Sequence, residues 1–256
     1  MKNKLKDYVI KIYSLKNTQE WYIKSIEKGL WGSEEVMIKK YFKTKSTTLD
    51  IGCGTGRTTI HLNKLGYNVK GMDITPDMIK NAKKIARLKH LKIIYEEGDV
   101  TNLKYRNSSF DNALFSYCGW NQIPGEVNRL NALKEIYRVL KSGGHLILTS
   151  HIRNVQGFSI FWIKQWVKIY IQKPLGFNIS EVEFGDYFYK SESICEQNIQ
   201  KQYVHMPRLK LVKEQIAKVG FDLVFNARAD TISSKNAGNI SPIFFICKKP
   251  INEIPT

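Results

Sequence analysis

The sequence predicts an α/β protein with a mostly parallel sheet covered by helices on both faces. Two observations carry that prediction. Apolar strand-like runs alternate with helical stretches from Thr47 to Ser150. A glycine-rich bend, Gly52-Cys53-Gly54-Thr55-Gly56, joins the first run to the first helix of the alternation. Parallel neighbours need crossover connections, and these are usually helices packed back onto the sheet. A third observation places the ligand. Acids recur where successive runs end, at Asp73 and Asp99, and open α/β sheets bind ligands beyond the carboxyl ends of their strands.

The elements follow in order. Residues 5–42 read as helical, with Tyr8, Ile12 and Leu15 and then Ile23, Ile26 and Leu30 at helical spacing. Trp31-Gly32-Ser33 breaks the run, and Ser33 is the expected N-cap, with Glu34 and Glu35 in the first turn. Thr47–Ile51 is the first strand, and a helix runs from the bend to Leu65, closed by Gly66. Asn68–Asp73 is the second strand. Thr75 and Pro76 then open a helix reaching about Leu88. Leu91–Glu96 and Phe110–Tyr117 are the third and fourth strands, and Ala132–Leu140 is a helix. Ser142-Gly143-Gly144 turns the chain into a fifth strand at His145–Ser150. The alternation then lapses across 152–206, an insertion, and resumes with a helix at Leu209–Val219 and strands at Phe221–Ala227 and Pro242–Cys247. This organises 256 residues as one domain: a helical cap (1–42), a ligand-binding half (43–151), the insertion or lid (152–206) and a completing segment (207–256).

Composition bounds the function. A hydrophobic fraction of 43% supports a real core. The four cysteines, Cys53, Cys118, Cys195 and Cys247, form no CxxC pair, so neither a zinc site nor a disulfide framework is expected, and a reducing cytoplasm is. The basic N-terminus lacks the unbroken apolar core of a signal peptide, and no run of eighteen apolar residues is present. The net charge of +17 invites a nucleic acid, an anionic substrate or an acidic membrane surface. The lysines are scattered and form no arginine-rich tract, which weakens the nucleic-acid reading.

The bend reads G-x-G-x-G, whereas a dinucleotide fold wants G-x-G-x-x-G. With Asp73 after the second strand, Gly98-Asp99-Val100 after the third, Phe110-Asp111-Asn112-Ala113 in the fourth and Ser142-Gly143-Gly144 before the fifth, the chain resembles the class I S-adenosylmethionine-dependent methyltransferase family from about Thr47 to Ser150. The resemblance implies a three-layer αβα, Rossmann-like fold with a seven-stranded sheet in the order 3-2-1-4-5-7-6, its seventh strand antiparallel. It implies S-adenosyl-L-methionine as cofactor. Gly52, Gly54 and Gly56 would pass beside its methionine moiety, with Asp50 orienting the loop and the amino end. Asp73 would hold the ribose hydroxyls, Ile74 and Met78 would pack on adenine, and Asp99 and the Val100 N–H would read the adenine edge. Ser116 and Tyr117 would lie beside the sulfonium. Ser142 stands where the family often has proline. Ser116-Tyr117-Cys118-Gly119 is not the Asn/Asp-Pro-Pro-Tyr signature of enzymes that methylate base amines.

The expected reaction is in-line methyl transfer to an O or N nucleophile of a small molecule. Tyr117, Asn121 and His151 are the candidate catalytic residues, with Trp120 beside them and His205 a further candidate base. No metal is expected. An RNA methyltransferase and a non-catalytic binder of the cofactor are the alternatives. The stretch 158–171, with Phe161, Trp162 and Trp166 interleaved by Lys164 and Lys168, is the most apolar of the chain. It reads as a lid over the acceptor, a peripheral membrane contact or a dimer contact. Glu181, Glu183 and Asp186 amid Tyr187, Phe188 and Tyr189 could meet a cationic acceptor.

Overall fold

In a computed structural model, which describes residues 2–153, 160–190, 201–235 and 241–251, the chain forms a seven-stranded sheet with helices on both faces. The strands are β1 (Thr47–Ile51), β2 (Asn68–Asp73), β3 (Ile94–Glu97), β4 (Phe110–Phe115), β5 (Leu140–Ser150), β8 (Asp222–Arg228) and β9 (Ile243–Lys248). Their order is β3-β2-β1-β4-β5-β9-β8. The first five are parallel, and β9 runs antiparallel to both β5 and β8. That is the expected order and the expected antiparallel strand. A separate antiparallel ribbon pairs β6 (Asp186–Tyr189) with β7 (Gln202–His205) inside the insertion. Residues 154–159 and 191–200 of the insertion lie outside the described residues, as do the Phe158 end of the apolar stretch and Cys195.

The strands are apolar on both faces because both faces are covered. Along β9 the side chains alternate. Phe245 and Cys247 pack with Leu133 and Ile136 of α6 (Glu126–Val139) and with Val212 and Ile216 of α8 (Leu209–Val219). Phe244 and Ile246 pack on the other side, with Met37 and Ile38 of α3 (Gly32–Tyr41) and Leu62 of α4 (Arg57–Lys64). The side-chain period of two thus feeds two cores from one strand.

Several boundaries differ from the sequence reading, each for a local reason. α3 begins at Gly32 with Trp31 as the flanking residue. Glu34, three positions on, accepts from the Trp31 N–H (2.8 Å), so the carboxylate rather than Ser33 secures the helix start. α6 starts six residues early, at Glu126: Gly125 turns the chain into it at φ +84°, and in its first turn Asn128 donates to the Pro124 carbonyl (2.8 Å). Ser142–Gly144 lies within β5 instead of preceding it. Gly143 takes φ +76°, and a side chain on Gly144 would meet the Asp111 and Lys141 carbonyls at 2.8 Å. The N-terminal helices are three, α1 (Lys2–Ser14), α2 (Lys16–Ser25) and α3, with a 3-10 turn at Ile26–Lys28.

Phe245 is fully buried at the centre of the larger core. Phe245→Ala should therefore lower the unfolding free energy by about 3–5 kcal/mol in urea titration. A loss below 1 kcal/mol would contradict this packing.

Candidate functional site

The carboxyl ends of β1, β2 and β4 and the loop after β3 open onto one cavity of about 250 Å³. That is spacious, since one water needs only about 10–15 Å³ by this measure. The glycine bend forms its floor. Gly52, Gly54 and Gly56 take φ of +65°, +55° and +99°, a region that side chains rarely adopt. A side chain at Gly56 would also strike the Tyr95 hydroxyl at 2.5 Å. The bend hands the chain to α4, whose first amide groups have no partner within the helix.

Asp73 ends β2 at the rim of this floor. Its Oδ2 accepts from the Gly54 N–H (2.9 Å) and its Oδ1 from the Thr75 N–H (2.8 Å). Burial raises its pKa, and the two amides offset part of that rise. Asp99 faces the cavity from the loop after β3. It accepts from the Lys6 ammonium (2.6 Å) and from Thr101 through N–H and hydroxyl (both 2.8 Å). Burial alone would raise its pKa, but the Lys6 and Thr101 donors win and hold it below the usual value. Asp50 is buried behind the bend, where its Oδ2 accepts from the hydroxyls of Thr58 (2.5 Å) and Thr59 (2.6 Å) on α4. Burial dominates there and lifts its pKa to about 6.

A buried ion pair stands on the other wall. Arg57, the first residue of α4, makes two hydrogen bonds to Glu34 of α3, at 2.7 and 2.8 Å, and a third to the Gly29 carbonyl (2.8 Å). The Ser116 hydroxyl, after β4, donates to the same carboxylate. Burial opposes ionisation of Glu34, yet Arg57, Ser116 and the Trp31 N–H hold its pKa below normal. The Arg57 guanidinium lies over the ring of Tyr117 (5.1 Å). Tyr117 and Cys118 both take left-handed backbone angles, φ +54° and +57°, uncommon for residues other than glycine. The pair turns the Tyr117 ring among Trp21, Tyr22 and Trp31.

Nine of the ten residues expected around the cofactor line the cavity: Asp50, Gly52, Gly54, Asp73, Ile74, Met78, Asp99, Val100 and Ser116. Gly56 does not; it turns the chain into α4 against the Tyr95 hydroxyl. Of the candidate catalytic residues, Tyr117 joins the lining, whereas Asn121 and His151 do not line the cavity. Asn121 is fully buried. Its amide donates to the carbonyls of His151 (3.0 Å) and His205 (2.6 Å), and its oxygen accepts from the His151 N–H (3.1 Å). It fastens the end of β5 to β7. Burial lowers the His151 pKa, and its Nδ1 meets no hydrogen-bond partner among the described residues. His205 is buried against Asp186 (2.9 Å), and desolvation outweighs that carboxylate and lowers its pKa. Trp120 is also fully buried.

The N-terminal helices supply the roof of the cavity through Lys6, Val9, Ile10 and Tyr13 of α1 and Tyr22 of α2; the sequence offers Tyr13 and Tyr22 equally as a flap over the cofactor and as core anchors. Burial and neighbouring tyrosines raise the pKa of Tyr13 and Tyr22, so both phenols face the cavity uncharged. Sequence reasoning missed Gln122. The 3-10 turn Gly119–Gln122 turns Asn121 inward and Gln122 toward the cavity, a choice that spacing does not reveal. No described residue of 152–206 lines the cavity. The acids there are paired internally: Glu181 with Lys168 (3.3 Å), Glu183 with Arg129 (2.6 Å), and Asp186 with Tyr203 (2.7 Å) and His205.

The cavity fits adenosylmethionine chemically. That molecule brings donors in its ammonium, its ribose hydroxyls and its adenine amine. The wall offers acceptors at Asp73 and Asp99, and two buried oxygens, Thr55 Oγ1 and Gln122 Oε1, have no hydrogen-bond partner among the described residues.

Comparison with known proteins agrees with the class that fold and site define. Residues 49–148 match the family described as "Methyltransferase domain". The chain is 30% identical over 195 residues to a demethylmenaquinone methyltransferase of Staphylococcus haemolyticus, covering 75% of this chain and 74% of that protein. It is 32% identical over 112 residues to norajmaline N-methyltransferase of Rauvolfia serpentina, 43% of this chain, and the matched segment spans 37% of that enzyme's length. Among solved structures, a SAM-dependent methyltransferase from Methanosarcina mazei superposes with a TM-score of 0.69 at 24% identity, covering 88% of this chain and 100% of that one. The chain belongs to the class I S-adenosylmethionine-dependent methyltransferase family, whose methyl donor is S-adenosylmethionine.

Two measurements test the electrostatics of the site. Glu34→Ala strands the buried Arg57 charge and should cost about 3–5 kcal/mol of stability in denaturant titration. Retention of wild-type stability would contradict the pair's burial. Asp50 titrates at about 6 in the folded protein, above the ~3.9 of an unfolded aspartate. Its stabilising contribution is complete below about pH 4 and is lost as pH rises through 6, amounting to roughly 3 kcal/mol. The stability difference between wild type and Asp50→Asn should change by about that amount over this window, and a flat difference would contradict it.

Proposed function

We propose that this protein transfers the methyl group of S-adenosylmethionine to an O or N atom of a small, largely apolar acceptor. The observation carrying this reading is the cavity itself. Its lining combines glycine backbone and carboxylates with Tyr13, Tyr22, Phe115, Tyr117, Ile123 and Pro124. The polar groups suit the donor, and the aromatic and aliphatic groups suit the acceptor. That some relatives are named for a quinone precursor and an alkaloid supports the same class of acceptor.

When bound, adenosylmethionine supplies a methyl already activated on a sulfonium. The chain's own task is then alignment and exclusion of water. In this reading the glycine bend lets the methionine moiety lie close to the backbone, with Asp50 fixing the bend from behind. Asp73 holds the ribose hydroxyls with the lone pairs left free by Gly54 and Thr75. Ile74 and Met78 pack on adenine, Asp99 and Val100 meet its edge, and Ser116 flanks the sulfonium. Gln122 Oε1 accepts from the ammonium. Tyr117, its ring set over Arg57, orients the acceptor. No cavity phenol is a ready base at neutral pH, because burial holds Tyr13, Tyr22 and Tyr117 in the neutral form. The acceptor therefore brings its own lone pair and loses any proton to solvent after attack. His151 and Asn121 act by joining β5 to β7 beneath the site. Residues 1–42 serve as the cap.

Two experiments test this. Asp73→Asn should weaken adenosylmethionine binding by about 1–3 kcal/mol in calorimetry, and unchanged affinity would remove Asp73 from the donor site. Transfer of labelled methyl into a cell extract, separated into small-molecule, lipid, RNA and protein fractions, should place the label in the small-molecule or lipid fraction. Label in RNA, or tight donor binding with no transfer at all, would overturn the proposal.

A further inference from the structure

The insertion carries a helix whose polarity is reversed. α7 (Ile160–Val167) continues through a π-helical turn, Lys168–Gln172, and a further turn at 173–176 leads to Phe177. A helix on a protein surface ordinarily turns its apolar face inward. Here the residue turned inward is Gln165, 3% exposed, which donates to the Asp186 carbonyl and accepts from the Gly185 N–H (2.9 Å). Large apolar side chains turn outward beside Lys164 and Lys168: Ile163 is 46% exposed, Trp166 49%, Tyr170 53%, Leu175 72% and Phe177 60%. Of sixteen exposed large hydrophobic side chains among the described residues, eight lie in this one segment. Such concentration marks an interaction surface. The segment is also firmly attached. Arg153 lies over the rings of Phe184 (4.3 Å) and Trp162 (5.2 Å), and the Lys173 ammonium donates to the carbonyls of Glu181 (2.6 Å) and Val182 (3.2 Å).

Charge selects the partner. Residues 160–178 contain Lys164, Lys168 and Lys173 and no acid, and the whole chain carries +17. Two copies placed face to face would bring lysines together, and the acid beside them, Glu181, is already paired with Lys168 of its own chain (3.3 Å). An anionic bilayer offers apolar depth for the Ile and Leu side chains, an interfacial zone suited to Trp166 and Tyr170, and negative charge for the lysines. No described helix is long and apolar enough to cross a membrane, so the contact lies in the interface plane. We infer that the outward face of residues 160–177 docks this protein on an anionic lipid surface.

The face also leads toward the cavity. Phe161 packs on Tyr187 of β6 (5.0 Å), and Phe188 of the same strand packs on Tyr8 of α1 (6.0 Å), the helix that roofs the cavity. On the proposed reading of an apolar acceptor, the bilayer is the pool from which that acceptor is drawn. The docking itself needs no methyl transfer and is tested without it.

The full-length protein should co-sediment with vesicles of equal parts phosphatidylglycerol and phosphatidylcholine, at least about tenfold more strongly than with phosphatidylcholine alone, and less as salt is added. The double variant Trp166→Ser/Tyr170→Ser should lose about tenfold or more of that affinity. Its adenosylmethionine affinity and thermal midpoint should stay at wild-type values, which excludes misfolding as the cause. Absence of wild-type binding, or a double variant that sediments like wild type, would overturn the inference. So would a wild-type dimer in sedimentation velocity that the same substitutions dissolve, because the face would then belong to a second copy.

Discussion

The buried pair of Glu34 and Arg57 is the constraint on which the site depends. Glu34 comes from the N-terminal helices, Arg57 opens the helix behind the glycine bend, and Ser116, on the same carboxylate, follows β4. Three segments distant in sequence are thereby fixed to one another inside the protein. A buried pair of this kind is weak evidence for net stability, since desolvation offsets much of the attraction. Its structural consequence is registration. The guanidinium also lies over Tyr117 and bonds the Gly29 carbonyl, so the cap cannot shift over the bend without breaking several charge-assisted bonds at once.

The sheet and the floor of the cavity were legible in the sequence because they follow from short-range rules. Strand period, helix-opening residues and glycines at positive φ are local, and the sheet order came with the family resemblance. Asp73 and Asp99 reach the same cavity because parallel strands end on the same side. The roof was legible only as one of two readings. The sequence offers Tyr13 and Tyr22 as a flap over the cofactor or as core anchors, and nothing local separates the two, since their destination is decided by how three helices dock. Asn121 and Gln122 show the limit most clearly. They are adjacent and chemically similar, and a 3-10 turn alone decides that one braces β5 and the other faces the cavity. The reversed polarity of α7 was hidden for a related reason. Its composition is visible in the sequence, but which face turns outward depends on the bonds of Gln165 to Gly185 and Asp186.

The Glu183, Asp186 and His205 cluster, whose ligand atoms lie within 4.8 Å of one another, has a comparable lesson. Arg129 fills the position beside Glu183, and Tyr203 and His205 both bond Asp186. The group is a closed hydrogen-bond network anchoring the ribbon to α6. Proximity of acids and a histidine is not enough to define a ligand site when the surrounding donors already satisfy them.

The left-handed pair Tyr117 and Cys118 carries a last consequence. Such angles cost of order 1–3 kcal/mol each and persist only where surroundings impose them. Here the imposition comes from the sheet, because the Cys118 N–H donates to the Thr149 hydroxyl of β5 (2.9 Å). The backbone that carries Tyr117 is therefore held by the sheet, while its ring takes its neighbours from Trp21, Tyr22 and Trp31 of the N-terminal helices. A change in those helices would alter what the ring meets and leave the turn beneath it in place.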